Sequence, residues 1–250
     1  PDRPLVALTR PDLSPLLRGL PQLEQVIEAD PRGLAGPYRA GRRLADLDLD
    51  GVLLFPNSVR SGLIARCSGA RFRIGWRRQG RGWLLSDAIP SPAVSTIRPT
   101  LEDYLELTSA ITGEDPDGSE NQTPHLVVTD EDRTAAAAFI TAAEGPYAVL
   151  IPGANRLDKR WPVDRFARVA DHLASAHGLR VAVSGSPTER SLADDLVAQA
   201  STPVINLAAG ATGLGALKSI LGDATLVITN DTGPRHVAAA LATPLVSLFG

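Results

Sequence analysis

Asp231, Thr232 and Gly233, with Pro234 and His236 just behind them, are the side chains of this sequence best suited to chemistry. The apolar run 226–228 precedes them, with the length and β-branched content of a buried strand. Pro234 suits the first turn of a helix, where its missing N–H would be unpaired anyway. Residues 237–241 continue as an Ala-rich helix. A strand that delivers a polar turn to a helix N-terminus leaves backbone N–H groups and a partial positive charge free for an anion, phosphate above all. His236 falls in the first helical turn and can face the same ligand. A plain capped helix start, with Asp231 or Thr232 as N-cap, uses the same residues. Asp-Thr-Gly is also the core of the aspartic protease signature. That chemistry needs two such carboxylates, and the tripeptide occurs once here.

Other polar turns carry complementary groups. Residues 152–162 combine Gly153, Asn155, Lys159 and Arg160, small residues that admit a ligand to the backbone and cations that neutralise phosphate. Lys159 suits an ordinary surface position equally well. Glu189 ends the turn 184–189, where it can serve the helix dipole or accept bonds from ribose hydroxyls. Thr212 ends the turn 208–212. In the first half, the strand 51–55 feeds the turn that holds Asn57, Ser58, Arg60 and Ser61, a second candidate site. A basic block follows, with Arg66, Arg71, Arg73, Arg77, Arg78 and Arg81 interleaved with Trp76 and Trp83. Arg binds carboxylate and phosphate bidentately, so the block suits an anionic small ligand; a solvated loop is the plainer reading. RNA is disfavoured by a net charge of −3. Gly-x-Gly-x-x-Gly, the Walker lysine motif and any spacing typical of a metal site are all missing from the sequence.

The elements that must position these groups follow a pattern. In the first half the sequence predicts strands at 5–8, 26–27 and 51–55 and helices at 37–47 and 101–111. Residues 113–124 are polar and read as a linker. A strand at 126–128 and a helix capped by Asp130 come next. From residue 147 onward strands (147–151, 180–184, 204–207, 226–228, 245–248) alternate with helices (163–177, 187–200, 214–221, 237–241). Apolar strands in strict β-α alternation imply a parallel sheet covered on both faces. Ligands of such sheets bind at the carboxyl ends of the strands, which is where every C-terminal polar turn named above falls.

A hydrophobic share of 44% with 21% charged residues marks a soluble globular chain. The single cysteine, Cys67, excludes an internal disulfide and a cysteine zinc cluster, and suits a reducing compartment. There is no apolar run of the roughly 18 residues that a spanning helix needs and no signal-peptide pattern. Methionine is absent, the chain opens on Pro1, and it closes on an apolar strand. It therefore reads as cut at both ends from a longer protein.

Taken in order, Pro152-Gly-Ala with Lys159-Arg-Trp-Pro, Gly185 with Glu189, Asn206-Leu-Ala, and Asn230-Asp-Thr-Gly-Pro-Arg-His-Val-Ala-Ala-Ala resemble glycosyltransferase family 9, the ADP-heptose:lipopolysaccharide heptosyltransferases. Leu54-Phe-Pro-Asn-Ser-Val-Arg-Ser-Gly-Leu, Arg73-Ile-Gly-Trp and Arg81-Gly-Trp-Leu-Leu-Ser-Asp resemble its heptosyltransferase II branch. The resemblance implies an α/β GT-B fold, two Rossmann-like domains with parallel sheets facing across a cleft. Residues 1–124 would form the acceptor-side domain and 125–250 the nucleotide-sugar domain.

It implies an inverting, metal-independent transfer of heptose from ADP-heptose, a donor substrate rather than a cofactor, to the lipopolysaccharide inner core. Nucleotide-sugar contacts would come from Gly153, Asn155, Lys159, Glu189, Thr212, Asp231, Thr232, Gly233 and His236. Of these, Lys159 and His236 would stabilise the leaving diphosphate and Glu189 would meet the ribose. Acceptor contacts would come from Asn57, Ser58, Arg60, Ser61, Arg77 and Arg81. The family's opening strand and its Gly-Asp loop, whose aspartate acts as the base, would precede residue 1, and its closing helices would follow Gly250. The expected partners are an ADP-sugar and an anionic lipid-linked oligosaccharide, not nucleic acid. The expected location is the cytoplasm, in peripheral contact with the inner face of the cytoplasmic membrane. A nucleotide-sugar-binding module, a GT-B enzyme for another sugar, or a nucleotide-sugar epimerase is the alternative reading.

Overall fold

The computed structural model describes residues 4–91, 100–113, 124–143, 145–210 and 213–249. The chain divides into two compact units. One gathers the described residues within 1–7, 12–27 and 123–250, the other those within 8–11 and 28–122. The chain changes unit partway along strands β1 (Val6–Thr9) and β2 (Gln25–Glu28), which pair with each other in a two-stranded sheet. The short helix α1 (Ser14–Leu17) lies between them in the chain.

The unit containing residues 28–122 holds helix α2 (Gly36–Ala45), strand β3 (Gly51–Leu54), helix α3 (Val59–Cys67), strands β4 (Phe72–Trp76) and β5 (Asp87–Ile89), and helix α4 (Thr100–Thr112). Its sheet has the order β3-β4-β5 and is parallel throughout, with Leu54 opposite Gly75 and Trp76 opposite Ile89. Leu54, Ala65 and Leu85 form its small buried cluster. The helix predicted over 37–47 stops at Ala45, and Leu47 is left 37% exposed, so nothing holds a further turn.

The larger unit opens with helix α5 (Asp130–Ala143) and alternates from there: β6 (Tyr147–Ile151), α6 (Val163–His177), β7 (Arg180–Val183), α7 (Arg190–Gln199), β8 (Val204–Asn206), α8 (Leu214–Gly222), β9 (Leu226–Asn230), α9 (Gly233–Ala240) and β10 (Leu245–Leu248). The five strands are parallel in the order β10-β9-β6-β7-β8. Every residue of β6 is buried, and its side chains divide by period two. Tyr147, Val149 and Ile151 join α5, α8 and α9 through Ala136, Ile220 and Val237. Ala148 and Leu150 join α6 and α7 through Phe166 and Leu196. Helices on both faces are what a run of continuous apolar strands requires. Gly178 ends α6 in the left-handed conformation (φ 64°) that a C-terminal glycine adopts without strain.

Three sequence expectations are corrected here. Residues 126–128 do not form a strand: Leu126 packs against the core and its N–H donates to Ala240 O, the end of a helix, so there is no strand edge along which a ladder could grow. The cap of α5 is Thr129 rather than Asp130. Thr129 Oγ1 accepts from Asp132 N at 3.3 Å, while Asp132 Oδ2 accepts from Thr129 N at 2.9 Å, a reciprocal box that satisfies two free N–H groups. The helix predicted over 187–200 also splits, into a 3-10 turn (Pro187–Glu189) and α7.

Candidate functional site

The turn after β9 is organised by Asn230, which is fully buried. Its Nδ2 donates to Pro152 O at 2.7 Å and its Oδ1 accepts from Trp161 N at 3.2 Å. One amide thus ties the end of β9 to both ends of the loop that follows β6. Asp231 N donates to Leu248 O at the end of β10, which fixes the next residue as well.

Asp231 lies between two cations. Lys159 Nζ, on a 3-10 turn (Leu157–Lys159), donates to Oδ2 at 2.5 Å, and Arg235 Nη2 meets Oδ1 at 3.1 Å. The Lys159 hydrogen bond is the main reason that the carboxyl is held below its ordinary value of 3.8; the charges of Lys159, Arg235 and His236 add to it and desolvation opposes it. Thr232 is the N-cap of α9 in extended conformation and makes no side-chain cap bond among the described residues. Open space lies where a Cβ on Gly233 would be, so a ligand can approach this backbone closely. His236 is exposed, with Nε2 at 3.2 Å from Arg235 Nη2.

Glu189 serves the helix start, one of the two readings offered by the sequence. Its Oε2 accepts from Ser186 N at 3.0 Å and Ser186 Oγ at 2.7 Å, which closes a capping box. Its Oε1 faces the other way, 3.8 Å from Arg160 Nη2. The carboxylate also rests against Gly153: a Cβ there would fall 2.2 Å from Oε1, so glycine is what lets Glu189 lean over the loop after β6. The neighbours Lys159 and Arg160 therefore part company. Lys159 turns to Asp231, whereas Arg160 turns to Glu189 and donates to Ala154 O at 2.9 Å.

The structure brings Gly153, Lys159, Glu189, Asp231, Thr232, Gly233 and His236 to the carboxyl ends of β6, β7 and β9. Asn155 is exposed on the same loop. Thr212 lies outside the described residues. Sequence reasoning missed Arg235, whose spacing of four from Asp231 across the start of the helix was the available signal. It also missed the tie made by Asn230, since a buried side chain bonded to two distant loops leaves no periodic trace.

The turn after β3 is built on a different plan. Ser58 caps α3, accepting from Ser61 N at 3.2 Å. Arg81 is fully buried beneath the turn. Its Nε donates to Trp76 O, its Nη1 to Pro56 O and to Ser61 Oγ at 2.8 Å, and its Nη2 to Asn57 Oδ1 at 3.2 Å. No carboxylate pairs with it among the described residues, and burial pushes its pKa below the ordinary arginine value. Arg60 and Arg77 are exposed, as is Trp83 at 74%, whereas Trp76 is buried. Arg73 is spent on Leu84 O and Ala70 O. The basic block thus separates into arginines that hold the fold and arginines that face solvent.

Among the described residues, no group of three or more His, Cys, Asp or Glu could hold a metal ion, and no helix is long and apolar enough to cross a membrane.

Comparison with known proteins agrees with this geometry. The chain matches the family model described as "Glycosyltransferase family 9 (heptosyltransferase)" over residues 38–250. It is 28% identical to lipooligosaccharide heptosyltransferase 2 of Haemophilus influenzae and 30% identical to that of Haemophilus ducreyi. Both matches cover 94% of this chain and 71% of the relative. The solved structure of Escherichia coli ADP-heptose LPS heptosyltransferase II superposes with a TM-score of 0.82 at 25% identity, over 100% of this chain and 76% of that one. The fold is therefore α/β, of the GT-B class. A matched region that takes in both candidate turns, and relatives aligned along nearly the whole sequence, mean that this chain belongs to glycosyltransferase family 9, the heptosyltransferases.

Proposed function

We propose that the chain transfers heptose from ADP-heptose to the inner core of lipopolysaccharide with inversion at the sugar carbon. An acceptor hydroxyl attacks that carbon, the bond to the diphosphate breaks, and ADP departs carrying the extra negative charge. The observation that carries this reading is the cluster at the ends of β6, β7 and β9. Lys159, the N-terminus of α9 and His236 converge where a diphosphate would lie, and Glu189 keeps one carboxylate oxygen available for ribose hydroxyls. Fixed cations and backbone N–H groups aimed at developing charge are the largest single source of rate in such sites. Asp231 orients these cations. Both of its oxygens are engaged and its pKa is lowered, which makes it a weaker proton acceptor than a free carboxylate.

The remaining residues expected to contact the nucleotide-sugar are Gly153, Asn155, Thr212, Thr232 and Gly233. On the acceptor side, Arg60 and Arg77 meet acidic groups of the core oligosaccharide. Arg81, Asn57, Ser58 and Ser61 build the turn that presents them. We assign residues 1–124 to acceptor recognition and 125–250 to the nucleotide-sugar. A lipid-linked acceptor brings the enzyme into peripheral contact with the inner face of the cytoplasmic membrane.

Calorimetric titration with ADP in the presence of a chelator, together with radiolabelled heptose transfer by the full-length protein to a truncated core lipid, tests the proposal. Saturable binding and label in the lipid are expected. ADP binding without transfer would point instead to a nucleotide-sugar-binding role.

A further inference from the structure

We propose that Arg235 is a positioning residue of this site, which holds the Asp231 carboxylate and, in the neutral form of the His236 ring, fixes the proton on Nδ1. The inference deepens the reading of the cluster as a diphosphate site and rests on it in part.

Arg235 sits in the first turn of α9 with three groups around it. Its Nη2 lies 3.1 Å from Asp231 Oδ1 and 3.2 Å from His236 Nε2. Its guanidinium carbon lies 5.3 Å from the centre of the Phe249 ring, within the range of a cation–π contact. Its Nε is buried without a partner among the described residues, so the group is oriented by its Nη2 contacts and by the ring.

A guanidinium has only donors. Nε2 of His236 must therefore accept, and the ring proton must be on Nδ1. His236 then meets a ligand through its Nδ1–H.

The second consequence concerns Lys159. Its ammonium is bonded to Asp231 Oδ2. To neutralise a departing diphosphate it must share or leave that carboxylate. If Lys159 were the sole partner, its departure would strand a partly buried charge, an unfavourable state. Because Arg235 holds the other oxygen, Asp231 stays paired while Lys159 turns to the phosphate. The charged groups that face Asp231 are Lys159, from the loop after β6, and Arg235 and His236, from α9.

Two readouts test this on the full-length protein. Long-range proton–nitrogen NMR of the ligand-free protein reports the His236 tautomer without reference to any nucleotide. The Nδ1–H form is expected in the wild type, with a shift toward Nε2–H in Arg235→Met. ADP titration from pH 3 to 8 reports on Asp231, whose carboxyl is held below 3.8. Arg235→Met should weaken ADP about three- to ten-fold, the scale of one charged contact at a half-exposed site. It should also move the acid limb of binding to higher pH, since Asp231 loses a cation. Arg235→Lys keeps a charge near Asp231 but lacks the planar fork. It should restore the acid limb and leave the tautomer shifted, and it carries the test if the methionine variant folds poorly. An unchanged tautomer in both variants, or wild-type ADP binding across the pH range in Arg235→Met, overturns the proposal. Failure of the wild type to bind ADP at all refutes the diphosphate reading, and the NMR result still decides the role of Arg235.

Discussion

Asp231 shows how much one carboxylate can organise. Lys159 and Arg235 each hold one of its oxygens, and its N–H reaches β10, so both its position and its charge are constrained. Asp231→Ala should lower kcat/KM about ten- to a hundred-fold, the scale of losing a charged hydrogen bond. Asp231→Asn should cost less, and kcat should keep its acid limb in both if, as proposed, Asp231 orients cations and another group takes the proton. The pairing also has a signature in stability. A carboxyl with a lowered pKa stabilises the fold above its ordinary value of 3.8, and the contribution disappears as pH falls through the lowered value. Thermal melting of Asp231→Asn should therefore lose that acid dependence while following the wild type near neutrality in shape. The sequence made Asp231, Lys159 and Glu189 legible because strand-end turns in β-α alternation converge on one rim. It left Arg81 unreadable, because an arginine in a Gly- and Arg-rich block looks solvated, and only its buried bonds to Pro56, Asn57 and Ser61 set it apart.

Among elements, α1, α5 and α8 are pinned by an ion pair out of contact with solvent. Lys218 Nζ lies 2.7 Å from Asp132 Oδ2 and donates to Pro15 O at 2.6 Å. Gly215 makes room for it: a Cβ there would fall 2.5 Å from Asp132 Oδ1. Breaking such a pair from one side leaves a buried charge and costs about 3–5 kcal/mol. Lys218→Met should be destabilised by that amount in urea melts. The double variant Lys218→Met, Asp132→Leu should lose less than the sum of the single changes, retaining mainly the cost of the α5 cap. Tyr147 joins β6 to α8 in a similar way, its Oη donating to Ile220 O at 2.8 Å. Burial, with help from the charge of Asp223, pushes its pKa up to about 12. A group with a raised pKa keeps its full contribution below its ordinary value of 10.0 and loses it as pH climbs toward about 12. Alkaline unfolding should thus begin above pH 10 in the wild type and lose this component in Tyr147→Phe. Strand β6 was plain in the sequence as a continuous apolar run. The absence of a strand at 126–128 was not, because three apolar residues look alike whether they pair with an edge or plug a core.

Over the whole molecule, the proposed division of recognition between the two units is open to a direct test. Arg60→Ala and Arg77→Ala should each raise acceptor KM several-fold while leaving ADP affinity unchanged, because both arginines are exposed on the smaller unit. Unchanged acceptor KM in both would refute the division. The fold class was legible from the second half, where five apolar strands alternate with helices. The membership of residues 12–27 was not, since a short proline- and leucine-rich segment carries no period that names its packing partner. That membership has a consequence for how the protein is made. Lys218 closes on Pro15 O across 203 positions of chain. Ribosomes add roughly 5–20 residues per second, so about 10–40 s of synthesis separate the two partners. Within that interval the early segment can reach residues 127–131 but not α8, so its full packing is completed only late in synthesis.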